Sequence, residues 1–230
     1  MSAPVASILA IITHHREAAM KSTADNPKTR QDLVSKGRKL EIFTILWNSL
    51  EGIIAITSGI IAGSIALVGF GFDSGIEVLS GLILVVRLSL DAHEGREMIE
   101  SWSLRLVGIS FLLLAAYIGY DSLSLLLKHQ APERSFIGIA LAAISLLVMP
   151  WLAKQKRKIA SNIGSPALAA DARQTDFCVY LSAILLIGLL LNALFGLWWA
   201  DPLAALLMVP LIAKEGRDGL CGKSCCKTCH

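Results

Sequence analysis

This sequence predicts an all-α membrane protein with six transmembrane helices. Three observations carry that reading: 54% of the residues are hydrophobic, only 17% are charged, and the mean hydropathy is +0.62. A soluble domain of this length does not need so much apolar surface. A bilayer crossing takes about 20 residues of helix, so 230 residues with short tails leave room for roughly six crossings and no sizeable soluble domain. The basic residues stand at loop positions beside apolar segments and are not interleaved with exposed aromatics, which argues against nucleic acid as a partner.

Residues 1–39 read as an N-terminal tail. Its apolar run, Val5 to Ile12, is too short to span, lacks a basic region before it and a small-residue cleavage site after it, and reads as a short surface helix, not a signal peptide. His14-His15 follows as an ordinary solvated pair with some capacity for metal. The first crossing covers about Leu40–Ala62, where Thr44, Asn48 and Glu51 repeat at spacings of four and three and share one helix face. That stripe faces the bundle interior or a hydrated vestibule; Glu51 is either part of an ion path or an interhelical hydrogen-bonding group.

Gly63-Ser64 makes a tight turn into the second crossing, about Ile65–Leu88, which carries Asp73 and Glu77 near its middle. Positions i and i+4 lie on one helix face, so the two carboxylates point the same way and can share a cation. Acids at membrane depth are costly and usually functional. Gly69, Gly71, Gly75 and Gly81 line the same helix and are expected to admit neighbouring helices closely.

After a charged connection at 91–104, the third crossing covers about Arg105–Leu127, and the loop Lys128–Arg134 leads to the fourth, about Ser135–Leu152, with Pro150 expected in its last turn. Lys154-Gln155-Lys156-Arg157-Lys158 then reads as a basic loop. The fifth crossing, about Ala167–Leu197, holds Asp171, Arg173, Gln174, Asp176 and Cys178, with Asp176 expected to pair with Arg173. The sixth is short, about Pro202–Ala213, with Asp201 as its N-cap and Trp198-Trp199 at the membrane interface. Residues 40–213 therefore form the transport-sized helical domain and 214–230 a C-terminal tail.

Lys and Arg divide unevenly between the two ends of these helices. Seven stand in the N-terminal tail, three around the 91–104 connection, four in 154–158 and four in the C-terminal tail, against Lys128 and Arg134 on the other side. The positive-inside rule then places both termini in the cytosol, for which the plasma or bacterial inner membrane is the expected location.

Gln174 and Cys178 repeat on the fifth helix the spacing of Asp73 and Glu77 on the second. Two such pairs supply four ligands, and oxygen mixed with thiolate suits Zn²⁺ or a similar transition metal better than Mg²⁺ or Ca²⁺. From spacing alone, Cys178 can equally be an inert small hydrophobe and Gln174 a helix-to-helix hydrogen bonder. The other cysteines, Cys221, Cys225, Cys226 and Cys229, crowd the last ten residues beside His230. Such spacing suits a metal-thiolate or redox-active tail, not a disulfide framework. No nucleotide or nucleophile motif is present, and a site closed by four protein ligands leaves no position for activated water, so the sequence does not read as an enzyme.

Several segments together resemble the cation diffusion facilitator family. They are Gly63-Ser64-Ile65-Ala66-Leu67 ahead of helix two, Asp73 and Glu77 for the family's Asp-xxx-Asp, Leu84-Val85-Val86-Arg87 closing that helix, and His93 to Glu97 for a histidine-rich loop. Ser165 to Asp171 opening helix five and Ala200-Asp201-Pro202-Leu203 opening helix six complete the likeness, which covers about residues 38–216. The resemblance implies a six-helix domain with cytosolic termini and a metal site between helices two and five. Family helix five usually reads Asp-xx-His-xxx-Asp, and from Asp171 those offsets land on Gln174 and Cys178.

The closer resemblance is to a short branch similar to vertebrate transmembrane zinc transporters lacking the large C-terminal domain. What it implies is efflux of a divalent cation, Zn²⁺ before Co²⁺, Cd²⁺, Fe²⁺ or Ni²⁺, by alternating access with protons as counter-ion. A homodimer is a further implication. The expected ligands are Asp73, Glu77, Gln174 and Cys178, with Asn48, Glu51, Asp171, Asp176, Cys221, Cys225, Cys226, Cys229 and His230 as accessory metal or proton positions. The alternative is a membrane metal sensor or regulatory subunit that keeps the fold without turnover.

Overall fold

The computed structural model describes residues 27–89, 96–129 and 132–225. Six helices fill them: α1 Pro27–Ala62, α2 Ile65–Ser89, α3 Arg96–Lys128, α4 Phe136–Ile163, α5 Pro166–Phe195 and α6 Ala200–Cys225. Each of α1 to α5 contains a span long and apolar enough to cross a bilayer. The sixth is longer than its apolar segment predicts, continuing past Ala213 through the charged residues that the sequence assigns to a tail.

Local chemistry accounts for the helix boundaries. Gly63 takes φ 65°, a left-handed conformation that glycine adopts without strain, and the Ser64 hydroxyl then accepts from Leu67 N at 3.1 Å to start α2. Ser135 and Ser165 cap α4 and α5 by accepting from Gly138 N and Leu168 N, and Pro166 fills the first turn of α5. Two expectations fail in α4. The 154–158 segment is not a loop, and Pro150 is internal, because the helix continues to Ile163 before Gly164 ends it.

α1, α2, α4 and α5 pack as a four-helix core, with α3 and α6 paired beside α2 and α5. The α1–α2, α3–α4 and α5–α6 connections meet at one end of the bundle: Glu133 N donates to Ala62 O, Asn192 Nδ2 to Pro132 O at 3.1 Å and Ser64 Oγ to Asp201 Oδ1 at 2.5 Å. Both described chain ends consequently emerge at the other end. Asp201 is not a cap for its own helix. It lies in the first turn of α6 and reaches across to the start of α2, beside the backbone of Ile65 and Ala66.

The described helices turn large apolar side chains outward and bury a polar stripe within an otherwise apolar core. Leu46, Ile61, Leu147 and Leu194 are each at least 66% exposed, whereas Thr44, Asn48, Glu51, Ser74, Ser145, Thr175 and Ser182 are buried. That inversion suits a protein bathed in hydrocarbon, where helices gain little from burying leucine and gain from packing and interhelical hydrogen bonds. The α2 glycines do not bring α5 close. Gly71 lies against the Ile56 backbone of α1 and Gly69 against Ile118 of α3, while space is open around Gly75.

Candidate metal centre

Asp73 and Glu77 lie in the middle of α2 and point into the four-helix core, 3% and 2% exposed. Across from them α5 presents Asp171, Gln174, Thr175, Cys178 and Ser182, all buried and spaced to share a helix face. The Cys178 thiol lies beside the Asp73 carboxylate, so the first carboxylate and the cysteine of the expected set are brought together. Glu77 finds a different partner on α5: Thr175 Oγ1 donates to its Oε1 at 2.7 Å. Gln174 is also buried, with its amide Nε2 bound to nothing.

From α1, the stripe of Thr44, Asn48 and Glu51 faces inward as its spacing predicts. Glu51 accepts from Ser74 at 3.0 Å, with Trp47 and Ser145 nearby. Asn48 stands beside Glu77, and both its amide atoms are buried without a hydrogen-bond partner. Ser182 donates to Ser145 at 3.1 Å, joining α5 to α4 at the far edge of the cluster. Both amide atoms of Asn48 and the Nε2 of Gln174 are thus uncommitted polar groups buried in this core.

Sequence reasoning missed the strongest ionic contact in the core. Lys156, assigned to a surface loop, is fully buried, and its Nζ lies 2.5 Å from Asp171 Oδ2 and 3.3 Å from Glu41 Oε2. It also donates to Thr175 Oγ1 at 3.2 Å. Asp176 is not Arg173's partner; it points away from this cluster and pairs with Arg157 at 2.6 Å, where both side chains are partly exposed. Thr175 carried a readable signal, since Asp171, Thr175, Cys178 and Ser182 repeat at four, three and four.

The electrostatics are lopsided. Glu41, Glu51, Asp73, Glu77 and Asp171 are all buried, and Lys156 is the buried cation among the described residues. Unpaired carboxylates in a low-dielectric interior are strongly disfavoured unless protons or cations neutralise them. Oxygen donors from Asp73 and Glu77 with a sulfur donor from Cys178 form a mixed set suited to borderline transition metals. In the present side-chain arrangement no group of three or more His, Cys, Asp or Glu side chains among the described residues is gathered tightly enough to hold an ion.

The remaining accessory positions divide. Cys221 is exposed and free on α6, Cys225 ends that helix, and Cys226, Cys229 and His230 lie outside the described residues, as do His14, His15 and His93.

Residues 42–220 match the cation efflux transmembrane domain. An uncharacterized transporter of Methanocaldococcus jannaschii is 25% identical over 77% of this chain and 65% of its own length. The magnetosome protein MamB of Paramagnetospirillum magneticum is 23% identical over 70% of this chain and 56% of its own. The cation-efflux pump FieF of Shewanella oneidensis is 29% identical over 49% of this chain and 36% of its own. The chain thus spans less than two thirds of the length of these relatives.

Proposed function

Because the chain belongs to the cation efflux transmembrane domain family, a family of transporters, we propose that it exports a divalent transition-metal cation, Zn²⁺ foremost, across the membrane that its helices span. The observation that carries this reading is the buried pair Asp73 and Glu77 facing Cys178 across the α2–α5 interface, in an interior where, among the described residues, buried carboxylates outnumber the one buried lysine. The metal is the substrate here. Asp73, Glu77 and Cys178 are its ligands, and Gln174 or Asn48 supplies a further oxygen.

Metal binding requires these ligands to release their protons, so metal and protons compete for one set of side chains. Neutralisation by either species satisfies the buried charge, which makes proton exchange for metal a natural counter-transport. Alternating access further requires that the metal-bound and protonated forms favour different conformations. The basic end of the bundle faces the cytosol in this reading, and Cys221 with the cysteines beyond it captures soft metal there.

Reconstitution tests the proposal. Vesicles holding the protein should take up Zn²⁺ saturably under an imposed pH gradient, and Asp73→Ala and Glu77→Ala should each abolish uptake without loss of folded protein. Full activity in Asp73→Ala removes the centre. Stoichiometric Zn²⁺ binding with no uptake favours a sensor that keeps the fold.

A further inference from the structure

The transport reading leaves the buried cation without a task. Lys156 projects from α4, but the three oxygens around its Nζ belong to other helices: Glu41 Oε2 from α1, and Asp171 Oδ2 and Thr175 Oγ1 from α5. Burying an ammonium costs several kcal/mol before its partners compensate, so the position demands those partners. They are not used up by it. Glu41 Oε1 and Asp171 Oδ1 are buried and lack any hydrogen-bond partner. Without the ammonium, two carboxylates and a hydroxyl converge with free lone pairs, which is the hard oxygen donor set of a divalent cation site.

We propose that Lys156 is a tethered cation occupying a second metal-type site, formed by Glu41, Asp171 and Thr175, and that it thereby closes this part of the acidic core to a metal ion. Thr175 links this site to the first. Its single hydroxyl proton goes to Glu77 at 2.7 Å while its oxygen accepts from Lys156 at 3.2 Å. A divalent ion in place of the ammonium would stand one hydroxyl away from Glu77 and repel a metal bound there. A fixed single charge partners Glu41 and Asp171 with less repulsion, so the core loads one metal at a time. The consequence for transport rests on Asp73 and Glu77 being the transport centre; the existence of the second site does not.

The experiment uses the full chain in detergent micelles, titrated with Mn²⁺, a hard ion that thiols hold poorly. Bound Mn²⁺ per chain is counted by electron paramagnetic resonance, and melting temperature is followed in parallel. Lys156→Met should bind one Mn²⁺ more per chain than the wild type, and Lys156→Arg should not. The added ion should vanish in Lys156→Met/Asp171→Asn and persist in Lys156→Met/Asp73→Asn/Glu77→Gln, which separates failure of this site from failure of the transport centre. A Lys156→Met count equal to wild type overturns the proposal, as does an added ion that survives Asp171→Asn. Should Lys156→Met be poorly folded without metal, Mn²⁺ should raise its melting temperature and leave that of Lys156→Arg unmoved; a variant that gains neither ion nor stability overturns it equally.

Discussion

Thr175 Oγ1 donates to Glu77 Oε1 at 2.7 Å, and through this bond α5 holds the second carboxylate of the acidic helix in place. The bond competes with nothing else for the Thr175 proton except the Asp171 carbonyl at 3.2 Å. Its removal by the near-isosteric Thr175→Val leaves Glu77 buried and free to rotate. Groups that orient a metal ligand are typically worth about 10-fold to 100-fold in affinity or activity, and the Zn²⁺ uptake rate should fall within that range. Thr175→Ser keeps the hydroxyl and should restore most of the uptake. A valine variant transporting at the wild-type rate would show that the bond does not position Glu77.

Cys178 decides how soft the site is. Its thiol meets the Asp73 carboxylate, so Cys178→Ser exchanges sulfur for oxygen at a position already in contact with the acidic pair. Soft ions lose more by that exchange than hard ones. The ratio of Cd²⁺ to Mn²⁺ uptake, measured in the same vesicles, should drop in Cys178→Ser, with Mn²⁺ uptake maintained or raised. An unchanged ratio would mean that the sulfur does not touch the transported ion.

Just before the start of α2, Ser64 donates to Asp201 Oδ1 at the α5–α6 corner, and both residues are buried. A hydrogen bond to a charged group contributes about 1.5–3 kcal/mol. Ser64→Ala should lower stability by that amount in denaturation of the micelle-bound protein, and Asp201→Ala by at least as much. The double variant should cost less than the two singles together, because the residues in contact share one interaction. Strict additivity would show that they stabilise the corner independently.

Six helices, the inward stripe of α1 and the Asp73/Glu77 pair were legible because each is written into a local pattern: apolar length, a three-four repeat, an i,i+4 spacing. Lys156 was not. It stands in a run of basic residues, the usual mark of a membrane interface, and nothing within one helical turn of it in sequence reveals Asp171 and Glu41 as its partners. Only the apposition of α1, α4 and α5 does. Asp201 was misread for the same reason. An aspartate before proline is a good cap for its own helix, yet the fold turns it toward Ser64, whose place beside it depends on two connections meeting at one end of the bundle. Thr175 escaped because threonine has no charge to attract notice, although its four-residue spacing from Asp171 lay open in the sequence.

Two glycines of α2 separate the demands of packing from those of the site. A Cβ at Gly71 would lie 2.9 Å from the Ile56 backbone nitrogen and 2.6 Å from its Cγ1, and backbone cannot yield as a flexible side chain does. Gly71→Ala should therefore push α1 away from α2, at an overpacking cost of about 1–3 kcal/mol. Since α1 carries Asn48 and Glu51 to the acidic pair, Zn²⁺ uptake should fall along with the melting temperature. Gly75, between Asp73 and Glu77, has nothing within 4 Å of its added Cβ. Gly75→Ala should leave uptake intact and raise stability by up to about 1 kcal/mol through helix propensity alone. If Gly75→Ala abolished uptake in a fully folded protein, the open space around it would belong to the path of the ion, and the centre would extend toward that side of α2.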